Sequence, residues 1–247
     1  MRTLTFASRN TKEITRDILT LIFGIVFPIV LLLLLSAINK GIPEGYGPEI
    51  FAISKLAPGI TVFGLSFLSL FSSMLIAKDK TTSFVLRLFT SPLKPAEFIL
   101  GYTLPLIPMA LIQTAICYLC ALFLGLPFGI NLLVAVIVNL PIAVVFISLG
   151  LLFGSILNEK AVGGICGALL TNLTGWFSNV WFDTALVGGA FKTVADILPF
   201  SHAVGAARAA VAGDYAAIFP DLWWVIGYAV LLLAAAVTVF AVKLKKN

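Results

Sequence analysis

Lys78-Asp79-Lys80-Thr81-Thr82-Ser83-Phe84-Val85-Leu86-Arg87-Leu88-Phe89-Thr90-Ser91-Pro92-Leu93-Lys94-Pro95-Ala96-Glu97 is a polar interruption between two long apolar runs. Phe84 and Leu88 lie one helical turn apart, with Val85 and Phe89 beside them, so one side of a short helix is apolar. Lys80 and Arg87 flank that side, and Pro92 and Pro95 close the segment. A short amphipathic helix of this kind suits a groove on a water-side partner. The alternative is a helix resting on the headgroup layer of a bilayer.

Working outward, the surrounding runs set the fold class. Residues 19–38 and 56–77 contain no charge, and each is close to the roughly 20 residues that a helix needs to cross a membrane. Residues 98–157 are 60 uncharged positions, too many for one crossing. Gly125-Leu126-Pro127-Phe128-Gly129 supplies a natural turn, which gives spans over 98–124 and 131–157. Residues 161–182 and 222–242 complete an expected set of six. The fold class is therefore an all-α membrane protein, read as one transmembrane domain over 1–247.

Composition agrees. The chain is 60% hydrophobic and 11% charged, less than half the roughly 25% charged residues of a soluble domain, and its mean hydropathy is +1.10. The net charge of +5 is spread over short loops, which argues against nucleic acid as a partner. With the N-terminus inside, 12 of the 16 Lys and Arg residues fall on inner segments and 4 on outer ones. The positive-inside rule then places both termini in the cytoplasm.

Two flanking segments add detail. Leu4, Ala7, Thr11, Ile14 and Ile18 recur at helical spacing in residues 1–18, while Arg2, Arg9, Lys12, Glu13 and Arg16 fall largely off that stripe. This predicts an interfacial helix with its cations toward lipid headgroups. Residues 183–221, between spans five and six, are too apolar for a solvated loop. They predict a re-entrant helical pair around Leu198-Pro199-Phe200, shielded by protein from lipid.

Residues that carry chemistry are few. The spans hold no Asp, Glu, Lys, Arg or His, which disfavours a carrier driven by an ion gradient. Gly188-Gly189-Ala190-Phe191-Lys192-Thr193 lacks the spacing of a phosphate-binding loop, so nucleotide, if used, binds another chain. Cys117-x-x-Cys120 lies in an apolar run without acid or histidine and reads as packing, and His202 as a local hydrogen-bonding residue. No catalytic, cofactor-binding or metal site is expected on this chain. Gln113, Asn139 and Asn172 are the largest polar side chains at membrane depth, and either join helices or line a substrate path. Gly150-x-x-x-Gly154 and Gly163-x-x-x-Gly167 predict a tight hairpin of spans four and five.

The string from Lys78 to Leu93, followed by Glu97-Phe98-Ile99-Leu100-Gly101-Tyr102, resembles the cytoplasmic signature of ABC-2-type exporter permeases. Leu198-Pro199-Phe200-Ser201-His202 with Arg208 resembles the Asn-Pro…Leu-Arg stretch of that family. Thr81 stands where the family usually has Gly, Leu198 where it has Asn, and Gly205 where an acid is common. The resemblance implies a half-transporter that exports cargo across the plasma membrane by alternating access, and the scarcity of Tyr and Trp in the spans favours an apolar or amphipathic, drug-like or lipid-like cargo over a sugar polymer. Two permeases, identical or paralogous, would pair, and two copies of a separate ABC ATPase would carry ATP and Mg. It also implies an ATPase-coupling interface of Asp79, Thr81, Thr82, Phe84, Val85, Arg87, Leu88, Phe89 and Pro92. An outer gate of Leu198, Pro199, Phe200 and Arg208 follows in the same way. A membrane scaffold that recruits a cytoplasmic partner, or an ion-gradient carrier, is the alternative.

Overall fold

The computed structural model describes residues 2–43, 49–81 and 94–246, and every long element within them is helical. In chain order these are α1 (Arg2–Arg16), α2 (Ile18–Gly41), α3 (Ile53–Thr81), α4 (Pro95–Phe123) and α5 (Ile130–Ile156). Next come α6 (159–177), α7 (Thr184–Val187), α8 (Gly189–Ile197), α9 (Pro199–Ala212) and α10 (Tyr215–Lys246). Among the described residues, five helices are long and apolar enough to cross a membrane: α2, α3, α4, α5 and α10.

The stretch expected as the fifth span differs from its forecast. Helix α6 is built from pieces of 4, 7 and 8 residues, the middle one a π-helix. Glu159 and Lys160 in its first turn, with its glycines, threonines and Asn172, lower its hydropathy, and it is not among those five. It ends at Phe177 instead of 182, because Asn179 turns the chain with a φ of 62°. Trp181 then folds back against Gly175, where an added Cβ would lie 2.5 Å from the indole Nε1, and meets Phe63 edge-on at 5.2 Å. Even so, α6 is about 28 Å long at ~1.5 Å per residue. It starts just after the end of α5, and Gly175 near its other end lies against Phe63 of α3.

Successive long helices alternate in direction. The last turns of α3, α5 and α10 therefore meet α1 and the start of α4 at one end, the α1 end. The starts of α3, α5 and α10 share the far end with α7, α8 and α9.

Helix α3 is the centre, with 89% of its most apolar window buried, against 22% for α2 and 28% for α10. Its seam with α5 is built from small residues. A Cβ on Gly150 would lie 1.9 Å from the Ser72 Oγ and 2.1 Å from the Ser69 carbonyl oxygen, and one on Gly154 would lie 2.6 Å from the Ser73 carbonyl oxygen. Gly150 and Gly154 thus seat α5 on α3, not on α6. Gly163 has open space around it, and Gly167 touches Leu70 of α3. The expected hairpin contact between the two glycine pairs is replaced by two separate contacts with α3, whose serines present little bulk.

Lysines close the α1 end. Lys80 Nζ donates to the carbonyls of Gly154 (2.9 Å), Ser155 (3.2 Å) and Leu157 (2.7 Å), and Lys243 Nζ donates to Ile156 (3.1 Å). Both cations sit at the negative end of the α5 dipole and satisfy carbonyls that the helix leaves unpaired.

Candidate functional site

The α1 end carries a polar cluster that links distant parts of the chain. Helix α1 buries Phe6, Ala7, Asn10 and Ile14, while Leu4, Thr11 and Ile18 of the expected stripe are exposed. The protein-facing side is rotated because α4 offers a fitted seat. Phe6 lies over Gly101, where a Cβ would meet its ring at 2.3 Å, and edge-on to Tyr102 at 4.9 Å. Asn10, fully buried, donates to the Gly101 carbonyl at 3.0 Å.

This seating brings Arg9 to Asp79, 70 residues away. The guanidinium donates from Nη1 to Oδ2 and from Nη2 to Oδ1, both at 2.7 Å, and the Tyr102 hydroxyl donates to Oδ2 at 2.8 Å. Asp79 is 2% exposed. The hydrogen bond to Asp79 raises the pKa of Arg9 above its ordinary value, outweighing the cost of burial. The fork is a bidentate charge pair, among the strongest polar contacts a protein makes. Asp79 thus lies inside, locking the end of α3 to α1 and α4 one step before residues 82–93. Thr81 is exposed and donates its hydroxyl back to Lys78. Thr82, Phe84, Val85, Arg87, Leu88, Phe89 and Pro92 lie outside the described residues.

The three polar side chains at membrane depth sit in three different settings. Gln113 donates to the Thr61 carbonyl at 3.0 Å and joins α4 to α3. Asn139 donates to the Tyr118 hydroxyl at 3.2 Å and joins α5 to α4. Asn172 is exposed on α6 and, among the described residues, donates to Ala168 of its own helix.

The far end is held by residues of α9. Leu198 caps the helix and Pro199 opens it. Phe200 is buried and stacks on Phe146 of α5 at 5.9 Å. Arg208 Nε donates to the Lys55 carbonyl at 3.1 Å and Nη2 to the Asn179 carbonyl at 2.8 Å, tying α9 to α3 and to the turn after α6. His202 places Nδ1 2.7 Å from Asp221 Oδ1 and Nε2 2.8 Å from the Asp196 carbonyl. Gly205 leaves the room that Asp221 fills, since a Cβ there would stand 2.1 Å from its Oδ2. The side chains of Trp224 and Tyr228 also reach the carbonyl of Ile197.

Arg9, Asp221 and Trp181 escape a reading by motif, and Tyr102, which closes the quoted string, is given no role by it. Arg9 looks like one surface cation among several, and its partner is distant in sequence. The only local hint was Asp79 standing at the end of an otherwise apolar run. Among the described residues, no three His, Cys, Asp or Glu side chains gather to hold a metal.

The fold defines the class: a multi-pass helical membrane protein. Within that class, residues 1–211 match the family model of the ABC-2 type transporter, and the chain belongs to that family. It is accordingly a transmembrane subunit of an ABC transporter, a kind of chain that normally pairs with an ABC ATPase and in general has no catalytic activity of its own. A search of curated proteins found no match.

Proposed function

We propose that this chain is the permease half of an ATP-driven exporter, with six crossings that include α6. Both termini would face the cytoplasm of a cell whose plasma membrane it spans. Two permeases, identical or paralogous, would pair, and two ATPase chains would bind ATP and Mg beneath the α1 end. Residues 82–92 would form the coupling helix, with Phe84, Val85, Leu88 and Phe89 in a groove of the ATPase and Arg87 at its rim. Gln113, Asn139 and Asn172 would flank the cargo path, and Leu198, Pro199, Phe200 and Arg208 would gate it outside. The cargo is apolar or amphipathic, since the spans offer packed apolar side chains but few Tyr, Trp or polar ones.

The observation that carries this reading is the Arg9–Asp79–Tyr102 lock. A push on residues 82–92 reaches α3 directly, and the bidentate pair on the buried Asp79 makes α1 and α4 follow α3 as one body. That is the requirement for near-rigid-body movement driven from a partner. The test is Leu88→Asp, assayed by co-purification of the ATPase and by nucleotide-dependent transport in proteoliposomes. A charge on the apolar face should abolish both while the protein still inserts. Normal assembly and transport in the variant would refute the coupling assignment.

A further inference from the structure

At the far end, a cavity of about 600 Å³ opens between the start of α3, the turn after α6 and α9. Its size is within the roughly 300–1,000 Å³ of ligand pockets. Ile50, Trp181, Phe182 and Leu186 give it apolar walls, and Arg208 stands on its lining. The charged groups around it are unequally engaged. Glu49 pairs with Lys55 at 2.6 Å, and Asp183 Oδ1 accepts from the Ala185 amide to cap α7. Arg208 is held by two neutral carbonyls, and among the described residues no carboxylate lies within ion-pair distance of it. Its Nη1 is left without a hydrogen-bond acceptor among those residues.

A half-buried guanidinium without a carboxylate in contact is costly, and burial lowers the pKa of Arg208, with the more distant Asp183 offsetting only part of that effect. The two carbonyl bonds fix the plane of the guanidinium, so little side-chain entropy remains to be lost on binding. An anion placed on Nη1 would supply the missing charge, and a hydrocarbon chain beside it would lie along Trp181, Phe182 and Leu186.

We infer that this cavity is a binding site for an anionic amphiphile, its carboxylate or phosphate head on Arg208 and its apolar chain against Trp181 and Leu186. The head could arrive on a membrane lipid or on a free amphiphile from water. The site needs neither ATPase nor transport to bind, so its test stands apart from that of the exporter reading.

The probe is 9,10-dibromostearate, whose bromines quench tryptophan, compared with its methyl ester, which has the same chain without the charge. Both are titrated into nanodiscs that hold the full chain, and the difference between wild type and Trp181→Phe isolates the Trp181 signal. The acid should quench Trp181 at a concentration at least about tenfold below the ester, as befits a charged contact. Arg208→Gln should remove that preference. Because Arg208 also staples the fold, Ile50→Glu serves as a second variant: it sets a carboxylate in the cavity without touching the Arg208 bonds, and it too should abolish the preference, whereas Ile50→Gln should keep it. Acid added from water and acid premixed in the bilayer distinguish a free amphiphile from a lipid. Equal quenching by acid and ester, or a preference that survives both Arg208→Gln and Ile50→Glu, overturns the inference.

Discussion

Asp79→Ala is the substitution that most directly tests how the α1 end is held. In the wild type the carboxylate accepts from Arg9 twice at 2.7 Å and from Tyr102 at 2.8 Å while 2% exposed. Its removal leaves the Tyr102 hydroxyl buried without that partner, a loss of about 1–3 kcal/mol. It also leaves Arg9 without its bidentate acceptor. Breaking a fully buried pair costs about 3–5 kcal/mol. Arg9 is 39% exposed and keeps Glu13 at 3.1 Å, so water and that carboxylate absorb part of the loss. The expected total is about 3 kcal/mol. At roughly 2–4 °C per kcal/mol for a chain of this size, the thermal midpoint in detergent should fall by about 6–12 °C. Tyr102→Phe deletes only the hydroxyl and should cost less, about 1.5–3 kcal/mol. The double variant Arg9→Met, Asp79→Leu should recover much of the loss, because no charge is stranded. Fluorescence-detected size-exclusion chromatography after heating reads all three. An unchanged midpoint in Asp79→Ala, or a double variant no better than the single one, would refute the lock.

His202 should make the far end pH-dependent. Both ring nitrogens face acceptors, Asp221 Oδ1 and the Asp196 carbonyl, and the hydrogen bond to Asp221 raises the pKa of His202 above its usual value. Since the folded value lies above the unfolded one, the contribution is fully present below about pH 6.5 and is lost as pH rises through the raised value. The gap in thermal midpoint between wild type and His202→Asn should therefore be largest in acid and narrow above that range. Asp221 is the carboxylate that faces the ring from α10; the Asp196 carboxylate is engaged with Lys192 in α8. Gly150→Ala should destabilise by about 1–3 kcal/mol, because its methyl meets the Ser69 backbone at 2.1 Å, whereas Gly163→Ala should be neutral in open space. The same thermal assay compares the two glycines.

Much of the architecture is legible in the sequence alone. Uncharged runs of membrane length set the helices, since a backbone in lipid must satisfy its own hydrogen bonds. Five of the expected spans correspond to helices of spanning length, with boundaries moved by up to seven residues, as at Tyr215 in α10. The order of polar signals from Lys78 to Tyr102 and at Leu198-Pro199 was enough to resemble the family that the match over residues 1–211 then showed. What remained hidden depends on partners far apart in the chain. Periodicity in residues 1–18 assigned the buried side by hydropathy, and missed that Asn10 and Arg9 are drawn inward by Gly101 and Asp79. The glycine pairs were legible as contacts, but their neighbour was not, because spacing marks a close approach without naming the helix that makes it. Sequence determined which segments enter the membrane, since that follows from the local cost of leaving polar groups in lipid. Only the tertiary structure decided which charges are neutralised and which, like Arg208, are left facing a cavity, because that turns on distances between residues that local chemistry does not link.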